Sequence, residues 1–154
     1  WNKQVFDKYG LFDETLIKNQ DEDHNYLIIE NGGKVYQSSK IKTHYFVREK
    51  TIDLIKQMFY YGFYKPLVLV KNISRIKIRH IIPSLFSTYV LSIFFITNPF
   101  WFIPLYSYLI LNIIFSVFNK ENMLTKIICL FIFPLMHMSY GIGFIIGLIN
   151  AYKK

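Results

Sequence analysis

The feature that most constrains this chain is an apolar run from Ile81 to Phe118 that contains no Asp, Glu, Lys or Arg. As one α-helix the run would extend about 57 Å, nearly twice the roughly 30 Å hydrocarbon thickness of a bilayer. It must therefore turn back on itself. Thr97-Asn98-Pro99 offers the turn, because proline and the residue before it both disfavour helix. We predict a hairpin of two membrane helices, at about 81–97 and 100–118.

A third apolar stretch, Ile127 to Ile149, is also long enough to cross a membrane. Ser139, Gly143 and Gly147 recur every four residues within it, which predicts the close approach of another helix. If the stretch crossed, Lys153-Lys154 would lie outside, against the tendency of basic residues to stay on the cytoplasmic side. A re-entrant or interfacial arrangement therefore stays open.

The net charge of +8 is concentrated just before the apolar run. The segment 65–80 contains no acid and five basic residues: Lys65, Lys71, Arg75, Lys77 and Arg79. Basic residues beside a membrane segment favour the cytoplasmic face, where anionic lipids contribute about 1 kcal/mol for each nearby Lys or Arg. Nucleic-acid binding is the rival interpretation. The position next to apolar helices favours lipid, and we predict no nucleic-acid partner.

The polar part of the chain predicts a mixture of helices and strands. Asp21-Glu22-Asp23 is typical of the first turn of a helix, and Asn31-Gly32-Gly33 of a helix end. Residues 34–37 and 41–46 have the composition of two short strands. A second helix is predicted from about Thr51 to Tyr61, and Gly62 and Pro66 are expected to end it.

The acidic cluster is the clearest candidate for chemistry. Transfer of a sugar to a hydroxyl group needs a base to accept the hydroxyl proton, and a carboxylate can do this. On a helix Asp21 and Asn25 share one face, whereas Asp23 is displaced by about 200° from Asp21. On composition alone, a solvated helix start is the more frequent explanation of such a cluster.

The chain resembles family 2 glycosyltransferases, because five motifs occur in the order and register of that family. This resemblance favours a catalytic role for the acidic cluster over a solvated helix start. The chain is most similar to the membrane-anchored enzymes of exopolysaccharide synthesis, such as succinoglycan glucosyltransferases, over nearly its whole length. The motifs are Gly10-Xaa-Phe-Asp-Glu14, Asn19-Gln-Asp-Xaa-Asp23-Xaa-Asn25, Gly33, Tyr45-Xaa-Xaa-Arg48 and Gln57-Xaa-Xaa-Tyr-Tyr-Gly62, with Met138-Ser-Tyr-Gly-Ile-Gly143 resembling the C-terminal span of the family.

The resemblance implies an α/β fold followed by a helical membrane region. Residues 1–64 would be the C-terminal, acceptor-side part of a GT-A domain. Residues 65–80 would form a basic amphipathic segment at the membrane surface, and 81–154 a region of two to three transmembrane helices. We expect the chain to be the C-terminal portion of a longer inverting hexosyltransferase, and the isolated portion to be inactive.

The resemblance also implies roles for individual residues. The base would be Asp21, with Asp23 the runner-up. The family has a Gln-Xaa-Xaa-Arg-Trp element near its substrates, in which Tyr60 and Tyr61 stand here for Arg and Trp. Arg48 either contacts substrate or pairs with an acid. The expected substrate-binding residues are Gln20, Asn25, Arg48, Gln57, Tyr60 and Tyr61.

No metal site is assigned in this chain, although the resemblance implies a divalent cation, Mg²⁺ or Mn²⁺, in the full-length enzyme. The Asp-Xaa-Asp metal motif of the family precedes the matched region, and no such motif lies upstream of residue 10. The implied partners are a nucleotide-sugar donor, a glycan or lipid-linked acceptor, and membrane lipids. The implied location is the cell membrane, multi-pass, with the polar part cytoplasmic.

The departures at Tyr60 and Tyr61, together with Leu27 where relatives often have Arg, motivate an alternative. In that alternative the chain is a truncated or degenerate, non-catalytic membrane module. It would bind a partner through its small-residue stripe.

Overall fold

The computed structural model describes residues 2–96 and 98–153. Its elements are short and long helices joined by turns and extended segments. In chain order the helices are α1 (Lys3–Tyr9), α2 (Gln20–Glu30), α3 (Thr51–Leu69), α4 (Ile78–Ser92), α5 (Ile103–Phe118) and α6 (Met123–Ala151), with 3₁₀ turns at Ile73–Arg75 and Pro99–Phe102.

The predicted α/β fold, with its GT-A portion, is wrong for the described part of the chain, which contains no β-strand. Segments 34–37 and 41–46 are irregular, and every residue from 41 to 50 is exposed. Their aromatic and β-branched residues favour a strand. A strand also needs a neighbour to pair its backbone groups, however, and none lies alongside these segments in the described residues.

The predicted helix at the acidic cluster is confirmed as α2. Asp21, Glu22 and Asp23 all lie in its first turn, where the helix dipole favours negative charge. The helix ends at Glu30 with Asn31 as its C-cap, and Gly32 follows with a φ of 76°. This left-handed conformation is readily adopted by glycine, which explains why the chain turns there.

Helix α3 continues eight residues beyond its predicted end at Tyr61, through Gly62 and Pro66 to Leu69. Glycine and proline cost a helix interior about 1 and 3 kcal/mol relative to alanine. Close packing against α6 explains the glycine. A Cβ atom on Gly62 would lie 2.1 Å from the carbonyl oxygen of Tyr140, so only glycine allows this approach.

Helices α3 and α6 run parallel to each other in close contact. Cβ atoms built on Gly143 and Gly147 would lie 2.2 and 2.0 Å from the carbonyl oxygens of Phe59 and Phe63, respectively. The contact advances by four residues on both helices, which defines the parallel direction. Close helix packing at these two glycines is therefore confirmed. The helix that approaches is α3, from the polar half of the sequence.

Helices α4 and α5 meet near the predicted turn, but α4 is not among the described stretches long and apolar enough to cross a membrane, so a hairpin of two membrane helices stays a prediction. The Tyr89 hydroxyl donates to the carbonyl oxygen of Trp101 at 2.6 Å, and the rings of Phe86 and Tyr108 lie 4.3 Å apart. The predicted turn includes Thr97, which lies outside the described residues. Helix α4 has 15 residues, fewer than the roughly 20 that a crossing requires.

Two helical stretches of the described chain are long and apolar enough to cross a membrane, Pro99–Phe118 and Met123–Ala151. The C-terminal half of the second stretch packs on α3. Its last helical residue, Ala151, lines a small cavity together with Asp13 and Lys71. Lys153 thus follows on the side of the polar helices, whereas Lys154 lies outside the described residues.

Candidate functional site

A network of ion pairs ties α2 to the segment that follows α3. The Asp23 carboxylate is buried and accepts hydrogen bonds from Arg75 Nη1 at 2.8 Å and Lys71 Nζ at 2.6 Å. Arg75, only 4% exposed, also donates to both carboxylate oxygens of Glu30. Each Asp23 carboxylate oxygen therefore accepts a hydrogen bond from one basic side chain. This arrangement suits a structural role in fixing α2.

The charges in this network stabilise each other. The hydrogen bond from Lys71, followed by that from Thr15, holds the pKa of Asp13 at about 2. The hydrogen bond from Arg75 lowers the pKa of Glu30. Burial opposes the charge of Lys71, but its bonds to Asp13 and Asp23 outweigh that effect and raise its pKa. Asp13, Glu30 and Lys71 consequently stay charged at neutral pH.

Asp21 is placed differently, because it lines a surface hollow at the start of α2. This Asp21 hollow has a volume of about 550 Å³, and its polar lining consists of Lys18, Asn19, Gln20, Asp21, Glu22 and Tyr61. Asp21 is exposed and makes no ion pair with any described basic residue. Its carboxylate is therefore available to a ligand.

The structure brings four of the predicted site residues into one group. Asp21, Gln20 and Tyr61 line the hollow together, although α2 and α3 are far apart in sequence. Gln57 does not line it but donates to the Tyr61 hydroxyl at 2.9 Å. The same amide nitrogen also donates to the Tyr45 hydroxyl at 3.1 Å, so Gln57 contacts the hollow only through Tyr61.

The other predicted residues lie elsewhere. Asn25 lines a separate cavity beside α1, so it does not share a site with Asp21. Tyr60 is 47% exposed and lies in a groove between α3 and α6. Arg48 is exposed in the irregular segment before α3, and no described acid pairs with it. Asp23 belongs to the ion-pair network described above.

A second cavity adjoins the Asp21 hollow and was not predicted from the sequence. This boundary cavity has a volume of about 430 Å³ and shares Asn19, Glu22 and Tyr61 with the hollow. The rest of its lining is contributed by α3, the first turns of α4 and the middle of α6, namely Met58, Lys65, Arg79, His80, Pro83, Phe133, Met136, His137 and Tyr140. It therefore lies where the polar helices meet the apolar ones.

The polar wall of the boundary cavity carries an excess of positive charge. Lys65 forms an ion pair with Glu22, whereas Arg79 pairs with no described carboxylate. Burial, and then the positive charge of Lys65, lower the pKa of His80 below its usual 6.5. His80 is therefore neutral at pH 7. Its Nδ1 accepts a hydrogen bond from the Lys77 backbone at 3.4 Å, which leaves Nε2 as the protonated nitrogen.

Basic character at Lys65 and Arg79 was visible in the sequence as part of the segment 65–80. Their convergence on α2 was not visible, because it depends on the full length of α3 and on the turn after it. No group of three or more His, Cys, Asp or Glu side chains in residues 2–96 and 98–153 is placed to hold a metal ion.

No family model matches the chain. No solved structure matches it either. Over 150 residues it is 32% identical to an enzyme of Methanococcus voltae, dolichyl N-acetyl-alpha-D-glucosaminyl phosphate 3-beta-D-2,3-diacetamido-2,3-dideoxy-beta-D-glucuronosyltransferase. The chain is similar to a glycosyltransferase. The match covers 97% of this chain and 45% of the relative, so the chain spans less than half of that enzyme's length.

The similarity confirms the glycosyltransferase part of the predicted resemblance. The name of the relative also describes a lipid-linked acceptor, a dolichyl phosphate that carries N-acetylglucosamine. It does not bear on family 2, on a GT-A domain or on exopolysaccharide synthesis.

Proposed function

We propose that this chain forms the acceptor-side part of a membrane-bound, inverting glycosyltransferase. The enzyme would transfer a sugar from a nucleotide-sugar donor to a lipid-linked or polysaccharide acceptor. The observation that carries the proposal is the position of Asp21, whose exposed carboxylate lines a hollow next to the boundary with the apolar helices. The similarity to a glycosyltransferase with a lipid-linked acceptor supports it.

Asp21 would act as the general base. In a single displacement the acceptor hydroxyl oxygen bonds to the anomeric carbon of the donor as the bond from that carbon to the nucleotide phosphate breaks. The hydroxyl proton passes to the Asp21 carboxylate, and the electron pair leaves with the nucleotide. Gln20 and Tyr61 line the same hollow and would supply hydrogen bonds for sugar hydroxyls. Gln57 would be a positioning residue, since it acts through Tyr61.

The membrane part of the proposal rests on α5 and α6. Both are long and apolar enough to cross, and the polar helices would lie on the cytoplasmic side of a multi-pass protein in the cell membrane. Membrane lipids would contact the basic segment 65–80. A divalent cation, Mg²⁺ or Mn²⁺, and membership of family 2 remain proposals for the complete enzyme.

The proposal is tested by Asp21→Asn in the complete gene product, expressed in membranes. Transfer of labelled sugar from a panel of nucleotide sugars to dolichyl-phosphate-linked N-acetylglucosamine is measured. We expect a loss of about 100-fold or more, the usual contribution of a general base. The matched control is Asp53→Asn, an exposed acid in the first turn of α3 that should leave the rate unchanged. Transfer at the wild-type rate in the Asp21 variant would refute the assignment.

The non-catalytic alternative required a small-residue stripe that is free to bind a partner. Gly143 and Gly147 instead contact the backbone of α3 within the chain. The stripe therefore lends that alternative no support.

A further inference from the structure

We propose that the boundary cavity binds the phosphate of a lipid-linked acceptor, with Arg79 as the phosphate ligand. This inference rests on the proposed function and deepens it by assigning a place to the lipid end of the acceptor. It is argued from the composition of the cavity wall, its charge and its connection to the Asp21 hollow.

The two walls of the cavity differ in chemistry. Lys65, Arg79 and His80 lie on one side, from α3 and the first turn of α4. Phe133 and Met136, from the apolar first half of α6, lie on the other. A ligand that suits both walls has an anionic head joined to an apolar chain. A polyprenyl phosphate has this chemistry, whereas a free sugar or a nucleotide lacks the apolar part.

The charge balance favours an anion. Glu22 neutralises one of the two cations, which leaves the guanidinium of Arg79 without a described carboxylate partner. A guanidinium binds phosphate through two parallel hydrogen bonds, and such bonds are stronger than those between neutral groups. His80, neutral and 5% exposed, keeps its Nε2–H as a further donor.

The connection to the Asp21 hollow gives the bound lipid a direction. The two cavities share Asn19, Glu22 and Tyr61 and therefore adjoin each other. With its phosphate at Arg79, an acceptor would place the attached sugar on the Asp21 side and its lipid chain along α6. The volume of about 430 Å³ lies within the usual range for small-ligand sites, about 300–1,000 Å³.

The test measures binding without catalysis, by titration calorimetry on the complete protein in phosphatidylcholine nanodiscs. The probes are farnesyl phosphate, farnesol and inorganic phosphate. We expect farnesyl phosphate to bind more tightly than either of the others. Arg79→Gln should raise its Kd at least tenfold, or about 1.4 kcal/mol, and leave farnesol binding unchanged. Met136→Trp, which fills the apolar side, should weaken both isoprenoid probes while thermal unfolding stays cooperative.

The control is Lys120→Gln, which removes a charge from the exposed loop before α6 and should leave the Kd unchanged. Equal losses in the Arg79 and Lys120 variants would overturn the site, since the lipid would then respond only to general surface charge. Inorganic phosphate that binds as tightly as farnesyl phosphate would overturn the lipid assignment.

Asp21→Asn separates this proposal from the proposed function, because it should abolish transfer but bind farnesyl phosphate normally. If transfer survives in that variant while binding still depends on Arg79, the catalytic assignment fails and the lipid site stands. If binding is indifferent to Arg79, the lipid site fails whatever Asp21 does.

Discussion

Gly143 in α6 lies directly against the main-chain carbonyl of Phe59 in α3, where an added Cβ would stand 2.2 Å from the oxygen. The obstructing atom belongs to a helix backbone and cannot turn away as a side chain would. We therefore expect Gly143→Val to lower the free energy of unfolding by about 2 kcal/mol or more, as overpacking of a tight core does. Thermal unfolding in detergent, followed by circular dichroism, measures the effect.

The control for that variant is Ile149→Phe, which adds bulk to an exposed position on the same helix and should leave the melting temperature nearly unchanged. Equal stability of the Gly143→Val protein and the wild type would mean that α3 and α6 do not pack as described.

We expect substitution of Arg75 to destabilise the protein more than substitution of any other charged residue. Its side chain is 4% exposed and bridges Asp23 and Glu30, so Arg75→Met leaves the buried Asp23 carboxylate short of a partner. Removing one member of a buried ion pair costs about 3–5 kcal/mol. Chemical denaturation measures the change. Arg48→Met provides the comparison, because Arg48 is exposed, and it should change stability by less than about 0.5 kcal/mol. Similar losses in the two variants would contradict a structural role for the network.

The C-terminal end of α6 is expected on the same membrane face as α2. Ala151 lines a cavity with Asp13 and Lys71, which places Lys153 beside the polar helices. In a Cys129→Ser background, Lys153→Cys should react with a membrane-impermeant maleimide from the same side as Lys18→Cys. Labelling of the two cysteines from opposite sides would contradict the placement of the end of α6 beside the polar helices.

Local signals predicted the structure well wherever neighbouring residues decide the conformation. Acids at the start of α2 and Gly32 after its end act through the helix dipole and the backbone, within one or two turns. The two strands and the end of α3 were predicted wrongly because both depend on distant partners. Segments 34–37 and 41–46 lack a neighbouring strand in the described chain, and Gly62 is retained in α3 by contact with α6.

The residues of the candidate site were likewise predicted correctly only in part. Motif register identified Asp21, Gln20 and Tyr61, which the fold brings together in one hollow. The same register also suggested Asn25 and Tyr60, which lie in other cavities because a helix presents successive residues to different sides. Lys65 and Arg79 could not be paired with the site from sequence alone, since the pairing depends on how α3 is followed by α4.

The parallel contact of α3 and α6 also affects how the chain can be made. About 80 residues separate Phe59 from Gly143, so α3 is synthesised long before the helix that covers it. At a synthesis rate of about 5–20 residues per second, the apolar face of α3 stays uncovered for several seconds before α6 is made. During this interval the nascent polypeptide exposes an apolar surface on α3 that chaperones or the insertion machinery must shield. A ribosome stalled before residue 143 would leave that surface permanently uncovered.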